Sequence, residues 1–142
     1  GVPREAPVID VGGGASVLVD FLIRGGYRDI TVLDISAAAL AASKKRLGDV
    51  ADDIQWRTVD IMQYVPPRQY AVWHDRAVFH FLTDESDRQQ YRAVLEKSVL
   101  PGGDVVMATF GLGGPNTNPG RGRGRSAVRT AGTLADRLEG SE

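Results

Sequence analysis

The chain has 142 residues, which allows one domain with a real core and not two. Hydrophobic residues make up 42% and charged residues 25%, ordinary for a globular domain, and a net charge of −1 argues against a generally basic nucleic-acid binder. The absence of cysteine excludes a disulfide framework and a thiolate metal site; no apolar run approaches the roughly 18 residues of a membrane span, and a cytoplasmic protein is expected.

Val8-Ile9-Asp10-Val11 reads as a buried parallel strand that runs directly into Gly12-Gly13-Gly14. Glycines there let the backbone turn sharply and approach a ligand with no Cβ in the way. Ala15 to Arg24 reads as a helix, with Val17, Leu18, Phe21 and Leu22 at helical spacing and Gly25-Gly26 as its stop. Its free N–H groups are then expected to point at whatever sits over the turn.

Ile30 to Leu33 reads as a second strand ending in Asp34, and Ser36 as the N-cap of a helix through Leu47. Lys44, Lys45 and Arg46 suit that helix's C-terminal dipole, and Gly48 closes it. Ile54 to Val59 is a third strand followed by Asp60, and Pro66-Pro67 breaks the chain before a fourth, Tyr70 to His74. Thr83 is expected to cap a helix with Asp84, Glu85 and Asp87 in its first turn and Tyr91, Val94, Leu95 and Val99 facing inward. Phe79, Phe81 and Leu82 read as core. Leu100-Pro101-Gly102-Gly103 turns into a fifth strand, Val105 to Phe110. Strands alternating with helices predict an α/β fold: a three-layer, doubly wound, mostly parallel, Rossmann-like sheet of five readable strands.

The pattern changes near Gly113. Residues 1–114 carry 12 basic and 15 acidic side chains, whereas residues 115–142 carry five arginines and three acids. Residues 1–114 are read as the domain and residues 115–142 as a disordered Gly/Pro/Arg-rich tail, with one weak helix over Ala127 to Leu138 and no further strand. The Arg121-Gly122-Arg123-Gly124-Arg125 run lacks the interleaved aromatics of nucleic-acid-binding tails and reads as solvated chain.

In an open parallel sheet, ligands bind beyond the carboxyl ends of the strands. Asp10, Asp34 and Asp60 all fall there. Asp34 follows Gly12 by about 20 residues, the spacing at which a carboxylate accepts ribose hydroxyls; taken alone it could equally be a helix cap. Asp60 is placed to accept from an adenine amino group beside the Ile61 N–H, and alone could be a turn residue. Ile35 and Ile61 offer apolar faces to adenine. Asp10, just before the glycines, would repel a pyrophosphate and welcome an ammonium group. Val17 stands where the dinucleotide fingerprint has its third glycine. Both features favour a ligand with adenosine at one end and a cationic amino acid at the other. Of the two histidines, His74 and His80, neither has partners spaced to complete a metal site.

Four segments in order and spacing, Val8-Ile9-Asp10-Val11-Gly12-Gly13-Gly14, Val32-Leu33-Asp34-Ile35-Ser36, Val59-Asp60-Ile61 and Leu100-Pro101-Gly102-Gly103, resemble the class I S-adenosylmethionine-dependent methyltransferases. Trp73 to Leu82 looks like a small bacterial methyltransferase-domain subfamily. The resemblance implies S-adenosyl-L-methionine as cofactor, methyl transfer to an unidentified small-molecule or protein acceptor, and binding by Asp10, Gly12, Gly13, Gly14, Asp34, Ile35, Asp60 and Ile61. It also places His74 and Asp75 at the methionine end of the cofactor, where either is a candidate catalytic base. The family's C-terminal strands are missing from the pattern, so a truncated or frame-disrupted copy is expected, with self-association through an uncovered sheet edge. A non-catalytic S-adenosylmethionine-binding fragment is the alternative, and an NAD(P)-dependent oxidoreductase a weaker one.

Overall fold

All four residues of the first strand, β1 (Val8–Val11), are buried, which requires that the strand be covered on both faces and paired on both sides. A computed structural model of the chain, which describes residues 1–76, 78–110 and 125–129, meets both conditions. β1 lies inside a sheet ordered β3-β2-β1-β4-β5-β6. It pairs in parallel with β2 (Ile30–Asp34) on one side and β4 (Tyr70–Arg76) on the other. β3 (Gln55–Thr58) extends the parallel sheet beyond β2, and β5 (Val99–Phe110) beyond β4. The five parallel strands and the doubly wound order are those expected from the sequence.

Side-chain alternation sends successive strand residues to opposite faces. One face packs Val19, Ile30, Val32, Leu40 and Ile54 beneath α1 (Leu18–Arg24) and α2 (Ala37–Leu47). The other packs Ile9, Val11, Leu33, Trp73 and Val105 against Tyr91, Val94 and Leu95 of α4 (Glu85–Ser98). A one-turn helix, α3 (Val78–Phe81), joins β4 to α4 and buries Phe79, while Phe81, read as core, is 73% exposed. Ser36 caps α2 as expected, accepting from the Ala39 N–H at 3.1 Å. Among the described residues, no helix is long and apolar enough to cross a membrane.

Several boundaries move for local reasons. α1 begins at Leu18, not Ala15, because the glycine turn continues: Ser16 N–H donates to the Gly13 carbonyl at 2.9 Å, and Ser16 Oγ accepts from Leu18 N–H at 3.1 Å. Its buried residue is Val19, so Val17 and Phe21 face outward. α4 is capped by Asp84 and not Thr83, the Asp84 carboxylate accepting from Ser86 N–H at 2.8 Å. β5 starts at Val99, and residues 100–103 leave the ladder between the Tyr70–Val99 and Val72–Asp104 pairs.

The expectation that no strand follows β5 is corrected. β6 (Arg125–Arg129) pairs antiparallel with β5, Phe110 opposite Arg125 and Val106 opposite Arg129. The Arg-Ser-Ala-Val-Arg run has no apolar alternation to announce it. An antiparallel edge strand needs only backbone N–H and C=O groups, which any residue but proline supplies. The helix expected over Ala127 to Leu138 therefore gives way to strand at residues 127–129, and the rest of it lies outside the described residues. The edge of β5, expected to be bare, carries β6.

Candidate functional site at the carboxyl edge of the sheet

The sheet reverses its winding at β1, so the crevice beyond β1, β2 and β4 is where this topology makes room for a ligand. Asp10 is fully buried there, in register with Val32 and His74 on the neighbouring strands. One carboxylate oxygen, Oδ1, lies 2.9 Å from His74 Nδ1, while Oδ2 is buried with no hydrogen-bond partner among the described residues. A buried carboxylate oxygen without a donor carries a desolvation cost that a bound cation or N–H would offset.

The glycines fit tightly over that carboxylate. Gly12 has φ +71, a left-handed conformation that favours glycine, and a Cβ on it would come within 2.6 Å of Val78. A Cβ on Gly13 would overlap the Asp10 carboxylate, and one on Gly14 would sit 2.8 Å from Asp34 Oδ2. The turn's own N–H groups are not free. Gly12 and Gly13 N–H both donate to the Leu33 carbonyl, at 2.7 and 3.3 Å, and Gly14 N–H donates to Asp34 Oδ2 at 2.9 Å. Ser43, buried on α2, donates to the Gly14 carbonyl. Arg46, paired with Asp20 at 2.7 Å, reaches the Ser16 carbonyl at 3.3 Å.

Asp34 ends β2 and holds two backbone donors: Gly14 N–H on Oδ2 and Ser36 N–H on Oδ1, each at 2.9 Å. Each oxygen retains a further lone pair, so a ribose hydroxyl can still be accepted. Ile35, next to it, is 70% exposed and presents an uncovered apolar face. Asp60 follows β3 and caps a short 3₁₀ turn, Oδ1 accepting from Met62 N–H at 2.9 Å, which leaves Oδ2 without a partner among the described residues. Ile61 departs from expectation: its side chain is packed in the core, so only its backbone can serve a ligand at this edge.

The resemblance places His74, the expected last residue of the fourth strand, and Asp75 after it together at the methionine end of the cofactor. β4 continues through Asp75 to Arg76, and strand alternation sends the two side chains to opposite faces. His74 joins Asp10. Asp75 is 1% exposed on the α4 side, where it accepts from Val78 N–H at 2.7 Å, Phe79 N–H at 3.0 Å and the Tyr91 hydroxyl. Trp73 Nε1–H donates in turn to the Tyr91 hydroxyl at 3.0 Å. Burial pushes the Asp75 carboxyl above the usual carboxylate range, with the hydrogen bonds from Tyr91, Val78 and Phe79 opposing, and burial likewise pushes the Tyr91 phenol well up. With both oxygens engaged, Asp75 is the cap of α3, and it positions Val78 against Gly12. That role was missed because Asp-Arg at a strand end reads as loop; the signal for it is Tyr91, a polar side chain on the apolar stripe of α4.

Known proteins share this fold. The glycopeptide N-methyltransferase MtfA in complex with S-adenosyl-L-methionine is similar at TM-score 0.64 and 24% identity, over 72% of this chain and 43% of that one. The same enzyme with S-adenosyl-L-homocysteine gives TM-score 0.65 and 23% identity, over 90% of this chain and 59% of that one. The N-methyltransferase NodS from Bradyrhizobium japonicum WM9, with S-adenosyl-L-homocysteine, gives TM-score 0.64 and 20% identity, over 74% of this chain and 53% of that one. Likeness at this identity speaks for the fold, and the chain spans 43 to 59% of the length of these structures. No curated protein matches it in sequence. The family described as methyltransferase domain matches residues 8–103, from the first residue of β1 into the start of β5. More than half of the sequence lies in that span, and the chain belongs to the methyltransferase domain family.

Proposed function

We propose that the crevice binds S-adenosyl-L-methionine and that the chain is the cofactor-holding part of a methyltransferase. The observation that carries this reading is the buried Asp10 carboxylate, one oxygen unpartnered, under a glycine turn whose N–H groups are already taken. A pyrophosphate needs free N–H donors and no anion beneath them. This turn supplies the reverse, so an NAD(P) reading is disfavoured and an ammonium-bearing ligand favoured. Asp10, buried beneath the turn, would offset the charge of the methionine amino group, Asp34 would accept from the ribose hydroxyls, Ile35 would lie against a face of the adenine, and Asp60 with the Ile61 N–H would meet its polar edge.

When bound, S-adenosyl-L-methionine supplies a methyl group on a positively charged sulfur. The chain's own residues hold and orient it: the glycine turn admits it closely, Asp34 fixes it against both β2 and the turn, and Asp10 balances its charge. Transfer to an acceptor nitrogen, oxygen or sulfur draws mainly on proximity and orientation, so no dedicated base is required of Asp75, whose oxygens are engaged. The lack of cysteine suits work in a reducing compartment such as the cytoplasm.

Titration calorimetry with S-adenosylhomocysteine and with NADH tests the binding half of the reading; NADH binding without an S-adenosylhomocysteine signal overturns it. A binding module without turnover is the second reading. Methyl-transfer assays over amine, hydroxyl and thiol acceptors, run on chain that binds the cofactor, separate the two.

A further inference from the structure

Ser43 and Ser98 are both buried on helices, and they use their hydroxyls differently. Ser98 of α4 donates to the Val94 carbonyl of its own helix at 2.6 Å, the usual outlet for a serine inside a helix. Ser43 of α2, 1% exposed, instead donates to the Gly14 carbonyl, 29 residues away in the glycine turn. Gly14 N–H is held by Asp34 Oδ2 at 2.9 Å. One residue of the turn is therefore fixed on its N–H side by the candidate ribose acceptor and on its carbonyl side by α2.

Arg46, three residues further along α2, backs this contact. Its Nη1 donates to Ser43 Oγ at 3.4 Å and its Nη2 to the Ser16 carbonyl at 3.3 Å. Its Nε and Nη2 also fork onto the Asp20 carboxylate of α1, at 3.3 and 2.7 Å. The fit around Gly14 is close on both sides: a Cβ there would come within 2.8 Å of Asp34 Oδ2 and 3.0 Å of Ala39 Cβ on α2.

We propose that Ser43 is a positioning residue: by holding the Gly14 carbonyl, with Arg46 in support, it sets where the Asp34 carboxylate stands for a ribose. This rests on the S-adenosylmethionine reading above and concerns the ribose end of that ligand. Without the Ser43 hydroxyl, the buried Gly14 carbonyl loses its donor and the residue tilts to recover one. Its N–H moves with it, and the hydrogen bond to Asp34 Oδ2 is misaligned. Oδ1 stays anchored by Ser36 N–H at 2.9 Å, so the carboxylate turns about that anchor. Hydrogen bonds weaken steeply with angle, so the contact to the ribose hydroxyls is what suffers first.

The test is calorimetry on the full chain with S-adenosylhomocysteine and with its counterpart whose ribose lacks both hydroxyls. In the unmodified chain the hydroxyls are expected to tighten binding about tenfold or more, as hydrogen bonds to a charged acceptor do. In Ser43→Ala that advantage is expected to shrink to about twofold, with the hydroxyl-free ligand little affected. A purely structural serine would weaken both ligands alike. Equal loss for the two ligands, or reduced stability with the advantage intact, therefore overturns the proposal and leaves the binding reading standing. Equal affinity of the unmodified chain for both ligands removes the ribose assignment of Asp34 and this proposal with it. Failure of both to bind overturns the binding reading itself. Should Ser43→Ala not fold, Arg46→Met at the more exposed end of the network is read by the same ratio, with the same outcomes.

Discussion

Asp34 Oδ2 accepts the Gly14 N–H at 2.9 Å, so the end of β2 and the glycine turn after β1 are held together by one side chain. The same carboxylate anchors the entry to α2 through Ser36 N–H at 2.9 Å. The residue proposed above to accept from a ribose is thus also the clamp that holds the turn. The two roles are compatible because each carboxylate oxygen accepts more than one hydrogen bond.

Asp34→Ala removes both roles. S-adenosylhomocysteine binding is expected to weaken by about 1–3 kcal/mol and the fold by about 1 kcal/mol, since two N–H donors lose their acceptor. Calorimetry measures the first and denaturant unfolding the second. Unchanged affinity with reduced stability would leave Asp34 as a clamp only.

Gly13→Ala places a methyl group against the Asp10 carboxylate. Asp10 is fully buried and tied to His74, so the backbone must move in its place. Overpacking of this kind costs about 1–3 kcal/mol of stability. Affinity for S-adenosylhomocysteine is expected to fall at least about tenfold, equivalent to 1.4 kcal/mol. Native-like affinity would show that the turn does not approach the ligand closely.

Ser36→Ala deletes the N-cap of α2, whose hydroxyl accepts from Ala39 N–H at 3.1 Å. A loss of about 0.5–2 kcal/mol in unfolding free energy is expected. Because a Cβ on Gly14 would lie 3.0 Å from the Ala39 methyl, fraying of this turn loosens the wall of the crevice, and ligand affinity is expected to drop with stability.

Asp75 gives the fold a defined pH dependence. Its carboxyl is held above the unfolded value by burial, so the folded state binds the proton more tightly than the unfolded chain does. The stability this confers is fully present below the unfolded carboxylate range and is lost as pH rises through the folded value. Asp75→Asn abolishes the titration. Denaturation curves of the two proteins from about pH 4 to pH 8 are expected to show the unmodified chain's advantage shrinking as pH rises. A pH-independent difference would mean that Asp75 does not titrate differently on folding. Tyr91→Phe is the companion variant: it removes the hydroxyl that donates to Asp75 and accepts from Trp73, and about 1–3 kcal/mol is expected to be lost.

The fold was legible because its signals are local. Val8 to Val11, Ile30 to Leu33 and Ser36 to Gly48 each combine a clear period with a cap or a glycine stop. The carboxylates at the strand ends followed from the same reading. What escaped was decided by contacts distant in sequence. Asp75 belongs to the opposite face from His74 because β4 continues to Arg76, and that continuation is stabilised by pairing with β5 and by Tyr91. Ile61 was read as an open apolar face like Ile35, yet one is in the core and the other exposed; neighbouring chemistry in the sequence does not distinguish them. β6 depends on the free edge of β5 and not on its own side chains.

Asp10 and His74 are 64 residues apart, so the pair exists only after β4 has docked beside β1. A nascent chain synthesised through Asp60 already contains the glycine turn and two further strand-end carboxylates, but nothing yet shields Asp10 from water on that side. Such non-local parallel pairing is the slow kind of step, because loop closure precedes its reward. Competence to bind therefore arrives late, together with completion of the sheet. A ligand present at that moment binds only finished molecules and draws the population towards them by mass action.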